Sequence, residues 1–136
     1  MMVNHYVAML LAALAAWIFG AVYYGVLGRT WMAAQGMSAA EIEERRKVRQ
    51  MPLAPMAISF LSELFMAGVF GALLTMLQLE LADAAVTGFM LGLGLIGTSL
   101  LVNNAFQGRK WTLSVIDGAH WVMVAIIECV VLAALL

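Results

Sequence analysis

The amino-acid sequence predicts an all-α membrane protein, a bundle of four transmembrane helices, from three observations. The 136 residues are 65% hydrophobic and 11% charged, whereas soluble domains are about half apolar and about a quarter charged. The mean hydropathy is +0.98. The apolar residues form four stretches, each long enough for the roughly 20-residue helix that crosses a bilayer. We expect one domain over residues 1–136, with membrane lipids around it.

The predicted spans cover residues 6–27, 55–79, 84–106 and 112–135. The first is longer than the core of a signal peptide and no Lys or Arg precedes it, so we expect it to be retained.

Residues 38–50, between spans one and two, form the only strongly polar segment. Ser38 followed three residues later by Glu41 is a capping-box pattern. Acidic residues come first and basic residues follow, which suits the helix dipole. Pro52 and Pro55 are typical of the start of the next helix. The pattern predicts a short amphipathic cytoplasmic helix between the two spans.

The basic residues predict the orientation. All seven lie in the loops after spans one and three: Arg29, Arg45, Arg46, Lys47, Arg49, Arg109 and Lys110. Cytoplasmic loops are enriched in Lys and Arg, so these loops are predicted to be cytoplasmic and both termini non-cytoplasmic. Trp31 and Trp111 flank the same side and suit an aromatic belt. We expect a multi-pass protein of the inner (plasma) membrane.

Ionisable side chains fall inside the spans, where a charge costs about 2.5–3.5 kcal/mol on insertion scales. They are Glu63, Asp117, His120 and Glu128. At about 100° per residue, the three in span four share one face, which we expect to point into the bundle.

Polar side chains from all four spans are predicted to meet in the cytoplasmic half. Asp117 and His120 lie about 10–15 Å inside the edge marked by Lys110, and Glu63 about as far beyond Pro55. The predicted binding or proton-carrying residues are Glu63, Asp117, His120, Asn103, Asn104 and Tyr24. The cluster is either a polar pocket open to the cytoplasm or a hydrogen-bond network that holds the helices together.

Neither a metal nor a cofactor is predicted. Asp117 and His120, with Glu63, resemble half of a di-iron site, but such sites repeat the motif on two helices and this chain has it once. Residues 92–97 match the dinucleotide fingerprint literally but follow no strand. The single cysteine, Cys129, is expected to be a buried small residue. The net charge of −1 and the lack of a basic stripe argue against a nucleic-acid partner.

Glycines in span three predict close helix packing. Gly88, Gly92 and Gly94 leave a smooth face that lets another helix approach. That helix belongs to the same chain or to another one, and we expect a homo-oligomer or a membrane-complex partner. Other glycines predicted to pack are Gly20, Gly25, Gly68 and Gly71.

Several motifs, taken in order, resemble one family. They are Gly20, Tyr23, Tyr24, Gly28, Trp31 and Gly36, then Thr98–Leu101, Asn103–Arg109 and Ile116–His120. Over nearly the whole chain they resemble the bacterial membrane proteins grouped as DUF1761, a domain of unknown function. The resemblance implies a four-helix membrane domain and no established activity.

Two classes of function stay open. One is a small oligomeric transport or permeation protein whose cytoplasm-facing polar pocket carries protons or binds a polar solute. The other is a structural or accessory subunit of a larger membrane complex. An enzyme is the least supported class, because no nucleophile–base pair and no cofactor motif stands out.

Overall fold

The computed structural model describes residues 4–48 and 51–136, and every regular element there is helical. The elements are α1 (His5–Ala34), α2 (Ala39–Val48), α3 (Leu53–Leu77), α4 (Leu81–Leu91), α5 (Thr98–Phe106) and α6 (Trp111–Leu135), with a π-helical segment, Gly92–Gly97, joining α4 to α5. Four helical runs are long and apolar enough to span a membrane: α1, α3, the run from Leu81 to Phe106, and α6. The predicted all-α class, with four apolar helices that could span a membrane, is confirmed. We call the run from Leu81 to Phe106 the third span.

The two ends of the bundle differ in the chain segments that lie there. The basic end carries α2 and the loop before α6, with Arg109 and Lys110. The terminal end carries the start of α1 and the last residue of α6. Arg49, counted among the basic loop residues, lies outside the described residues.

The helix α1 is longer than the predicted span. It continues past Arg29 to Ala34, and Gly36 ends it with a positive φ of 95°. Arg29 interrupts the apolar stretch but not the backbone hydrogen bonds, so the helix extends beyond the length that hydropathy indicates. The extension places Trp31 beside α6.

The capping box at the start of α2 is confirmed. The Ser38 backbone N–H donates to Glu41 Oε2 at 2.7 Å, and the Glu41 backbone N–H donates to Ser38 Oγ at 3.3 Å. The first of these bonds is the main reason that the pKa of the Glu41 carboxyl lies below its usual value. Arg29 pairs with Glu43 at 3.0 Å and ties α2 to α1.

The helix α6 lies at the centre of the bundle. It packs against α1, α3 and the third span, while α1 and α3 also pack against each other. The third span packs chiefly on α6. Many of the buried core residues are alanines, which let helices approach closely in lipid. The core cluster is Ala8, Ala12, Ala13, Ala67, Phe70, Leu74, Ala84, Ala125, Cys129 and Leu132.

The glycine face of the third span is used within the chain. A Cβ at Gly88 would lie 2.6 Å from the Ala125 carbonyl oxygen, and one at Gly92 would lie 2.7 Å from Val122 Cα. Gly94, in contrast, has open space around it. Two of the three glycines therefore seat α6, and a homo-oligomer stays a prediction without their support.

Candidate functional site

Asp117 joins α6 to α1 near the basic end. Its Oδ1 accepts a hydrogen bond from the Tyr24 hydroxyl at 2.7 Å and another from Trp31 Nε1 at 3.0 Å. The neighbouring Tyr23 hydroxyl donates to the Ile116 carbonyl at 2.8 Å. The sequence predicted Trp31 to lie in an aromatic belt, but its indole N–H donates to the Asp117 carboxylate. Asp117 is thus a satisfied hydrogen-bond acceptor that holds two spans together.

His120 lies one turn further along α6, inside a cluster of aromatic rings. The side chain is buried, with 5% of its surface exposed. Four ring centroids lie within 4.8–6.0 Å of the imidazole, those of Phe19, Tyr23, Tyr24 and Trp121. Its Nδ1 has no hydrogen-bond partner among the described residues. The rings hold the imidazole in place and leave one nitrogen available for a proton.

Gly20 provides the seat for this imidazole. A Cβ at that position would lie 2.9 Å from His120 Nε2, closer than a side chain tolerates. The glycine predicted as a packing position therefore accommodates a functional candidate rather than a neighbouring helix backbone. Only glycine lets the α1 backbone come so near the ring.

Glu63 of α3 and Glu128 of α6 form a second ionisable group, which we call the carboxyl pair. Glu63 is 2% exposed and Glu128 is 0% exposed. They lie on two helices that pack against each other. Within residues 4–48 and 51–136, Glu63 Oε2 and both oxygens of Glu128 lack hydrogen-bond partners. These buried carboxyl groups are held by packing rather than by polar contacts.

The register of α3 against α6 sets the level of Glu63. A Cβ at Gly71 would lie 3.6 Å from Leu132 Cδ2 and 3.9 Å from Leu136 Cδ1. Helical side chains lean toward the N-terminus, so Gly71 is closest to the level of Leu132. The two helices run in the same direction. Glu63 lies eight residues before Gly71 and Val124 lies eight residues before Leu132, so Glu63 is level with Val124. Glu63 then lies about 6 Å along the axis from both His120 and Glu128.

Glu63 is therefore not brought to the level of Asp117, which lies about 10 Å away along the axis. The same register puts Leu53, the first residue of α3, level with Ser114. The start of α3 lies further from the basic end than the start of α6. The predicted depth of Glu63, counted in residues from Pro55 and compared with Asp117 counted from Lys110, was therefore too small. Among the described residues it makes no hydrogen bond with Asp117 or His120.

The two predicted asparagines lie on another side of α6. Asn104 Nδ2 donates to Ser114 Oγ at 3.0 Å and pins α5 to α6. Asn103 is exposed. The third span packs on the face of α6 that carries Val122 and Ala125. Asn103 and Asn104, at its end, are therefore separated from the ionisable residues of α6, which face α1 and α3.

Sequence reasoning did not assign Glu128, Phe19 and Trp31 to the site. Glu128 was recognisable, since it shares a face with Asp117 and His120 at helical spacing. Phe19 and Trp31 gave no signal of this role, because an aromatic residue in a span is ordinarily packed or interfacial. Cys129 is buried, as predicted.

The donor set is not that of a metal centre. Among the described residues, no group of three His, Cys, Asp or Glu side chains could hold an ion. The chemistry that this arrangement supports is proton binding: an imidazole nitrogen and carboxyl oxygens, buried and unpartnered, on α6 and the neighbouring α3.

The fold and the site together define a multi-pass helical membrane protein with two ionisable groups buried on its central helix, His120 and Glu128, and a third, Glu63, on the neighbouring α3. The chain belongs to the family of proteins of unknown function, DUF1761, whose profile matches residues 7–133. No curated protein and no solved structure matches the chain. The family confirms the resemblance noted in the sequence and leaves the activity open.

Proposed function

We propose that this protein is a small transport or permeation protein that carries protons through the inner membrane along one face of α6. The basic end would lie in the cytoplasm, as the positive charges predict. Asp117, half-buried there, would form the polar mouth that faces the cytoplasm. His120 and then the carboxyl pair would carry the proton further. The observation that carries this proposal is the burial of Glu63 and Glu128, in which Glu63 Oε2 and both oxygens of Glu128 have no hydrogen-bond partner among the described residues.

Unpartnered burial favours a functional role over a structural one. A polar group that serves to hold helices together is bonded, as Asp117 is by Tyr24 and Trp31. A buried polar group without a partner costs about 1–3 kcal/mol. Such groups are rare in folded proteins and call for an explanation. Inside a membrane, ionisable residues of this kind commonly belong to ion pathways and proton relays.

The closeness of the carboxyl pair suits it to hold an exchangeable proton. Two buried carboxyl groups near one another cannot both be charged without strong repulsion. Such a pair is suited to share a proton and to release or accept it as neighbouring groups change. Glu63 is offset from both His120 and Glu128 by about 6 Å along the helix axis. Proton transfer requires hydrogen-bond distance or one bridging water, so transfer between them would need water or side-chain movement.

Proton flux into vesicles tests the proposal. The purified protein is reconstituted with a pH-sensitive dye inside, and a potassium diffusion potential drives protons inward. Wild-type vesicles should acidify faster than protein-free vesicles, and Glu128→Gln and Glu63→Gln should fall to the protein-free rate. Glu80→Gln is the matched control, because Glu80 lies exposed in the turn before α4. Equal rates with and without protein, or full flux in Glu128→Gln, would contradict the proposal.

The second candidate, an accessory subunit of a larger membrane complex, is favoured by one observation. An apolar groove of about 290 Å³ lies between α3 and the third span. It would accept an apolar helix of a partner or of a second copy. Its lining residues are Phe65, Met66, Val69, Phe70, Ile96 and Trp121. Native mass spectrometry from mild detergent should then detect a larger assembly, and only monomer would count against it.

A further inference from the structure

A groove between α1 and α3 opens at the terminal end of the bundle. Its volume is about 670 Å³. Polar side chains lie at its rim, near the start of α1 and the end of α3, and apolar residues lie at its base, further into the bundle. Its lining includes Asn4, His5 and Thr75 near the helix ends, and Met9, Gly68 and Gly71 further in. We call it the terminal groove.

The base of the terminal groove lies one to two helical turns from the carboxyl pair. Gly68 comes five residues after Glu63 on α3, and Leu132, level with Gly71 in the same groove, comes four residues after Glu128 on α6. At 1.5 Å per residue, Glu63 lies about 8 Å below Gly68 on α3, and Glu128 lies about 6 Å below Leu132 on α6.

The route to the carboxyl pair from the basic end is longer and more obstructed. Glu128 is 17 residues from Trp111, the first residue of α6, which is about 25 Å. That path passes His120 and the rings of Phe19, Tyr23 and Tyr24 packed around it. The terminal groove is thus the shorter connection between the carboxyl pair and the outside of the bundle.

Met9 closes the base of the terminal groove. Its Cε lies 3.0 Å from the position that a Cβ of Gly68 would occupy, so the methyl group rests directly on the glycine. Methionine is unbranched and adapts its shape through three rotatable bonds. Because Gly68 has no side chain to hold it, a change of rotamer would move the methyl group off the glycine.

We propose that the terminal groove is the outer vestibule of the carboxyl pair, through which water reaches Glu63 and Glu128, and that Met9 seated on Gly68 is its barrier. The inference rests on the proposed function, for which it supplies the exit at the end opposite Asp117. Water is the expected occupant of the terminal groove, because Glu63 and Glu128 need a proton donor or acceptor.

The chain contains its own reporter of access to this region. Cys129 is the only cysteine, it follows Glu128 directly, and it is buried. In detergent, a small charged methanethiosulfonate should label Cys129 slowly in the wild type. Met9→Ala should raise the labelling rate about tenfold, which corresponds to ~1.4 kcal/mol off the barrier. Gly68→Ala should raise the rate as well, since a methyl group 3.0 Å from Met9 Cε would displace Met9 from its seat.

Two control variants separate the routes. Met66→Ala removes a methionine that lines the groove on the other side of α3, and should leave the rate unchanged. Trp31→Phe loosens the basic end and should leave it unchanged as well. An unaltered rate in Met9→Ala, or an equal increase in Trp31→Phe, would overturn the proposal. Circular dichroism identifies any variant that has unfolded, in which case the Gly68→Ala result decides. Labelling does not depend on proton flux, so a labelled but non-conducting protein would refute the proposed function alone.

Discussion

Asp117 and Glu128 lie on the same face of α6 in opposite surroundings. Asp117 accepts two hydrogen bonds from α1, whereas neither oxygen of Glu128 has a partner among the described residues. Removing a hydrogen-bond partner of Asp117 should therefore destabilise the fold, whereas replacing Glu128 by an apolar side chain of similar size should not. Substitutions at these two sites distinguish polar groups that hold the bundle from those available for chemistry.

Tyr24→Phe should lower the free energy of unfolding by about 1.5–3 kcal/mol, because it removes a hydrogen bond to a carboxylate. Tyr23→Phe is the control. It removes a bond to the Ile116 carbonyl, a neutral acceptor, and should cost only about 0.5–1.5 kcal/mol. Thermal unfolding in detergent measures both. Equal losses, or a larger loss in Tyr23→Phe, would show that the charge of Asp117 does not strengthen the contact.

Gly20→Ala should destabilise the protein by about 1–3 kcal/mol, the usual cost of overpacking. The new methyl group would lie 2.9 Å from His120 Nε2 and force the ring from its seat. Gly25→Ala, on the same helix, meets nothing within 4 Å and should be neutral or slightly stabilising. The melting temperatures of the two variants, measured in the same detergent, provide the comparison. If Gly20→Ala melts with or above Gly25→Ala, the imidazole does not occupy this position.

At the scale of the helices, the third span depends on two glycines. Gly94 lies two residues after Gly92 in the π-helical segment, Gly92–Gly97, and is off the face that meets α6. Hydroxyl groups of Thr98 and Ser99 donate to the Gly94 and Leu95 carbonyls, at 2.7 and 2.6 Å. These bonds satisfy backbone oxygens that lipid cannot.

Gly88→Ala should detach the third span from α6. The added methyl group would meet backbone atoms, Ala125 O at 2.6 Å and Ile126 Cα at 2.8 Å. Backbone yields less readily than a side chain, so the loss should exceed that of Gly20→Ala and reach the upper part of the 1–3 kcal/mol range, or about 3. Gly94→Ala, in open space, should have little effect. Thermal unfolding with Gly88→Ala no worse than Gly94→Ala would contradict this packing.

At the scale of the whole molecule, hydropathy was enough to predict the four spans, because lipid allows only long apolar helices there. The capping box of α2 was equally local, since Ser38 and Glu41 are three residues apart. The position of Glu63 was not predictable, because it depends on how far α3 is staggered along α6. The role of Trp31 depends on a helix extending past Arg29. Asn103 and Asn104 were grouped with the site by depth alone, whereas the side of α6 on which a span packs is decided by Gly88 and Gly92.

The orientation of the bundle is a prediction about the whole molecule. A cysteine introduced at Lys47, in α2, in a Cys129→Ser background should react with an impermeant thiol reagent only when the cytoplasmic face is exposed. The reason is that the basic loops are retained in the cytoplasm. Labelling in intact cells would reverse the assignment and place the termini inside.

The central claim is that Glu128 carries protons and does not hold the fold together. The most direct measurement is the proton flux of Glu128→Leu in vesicles, normalised to the amount of folded protein and read beside its melting temperature. Leucine fills a similar volume and needs no partner, so the variant should melt at or above the wild-type temperature. The account predicts this stability together with flux at the protein-free rate. Wild-type flux in a folded Glu128→Leu protein would contradict it.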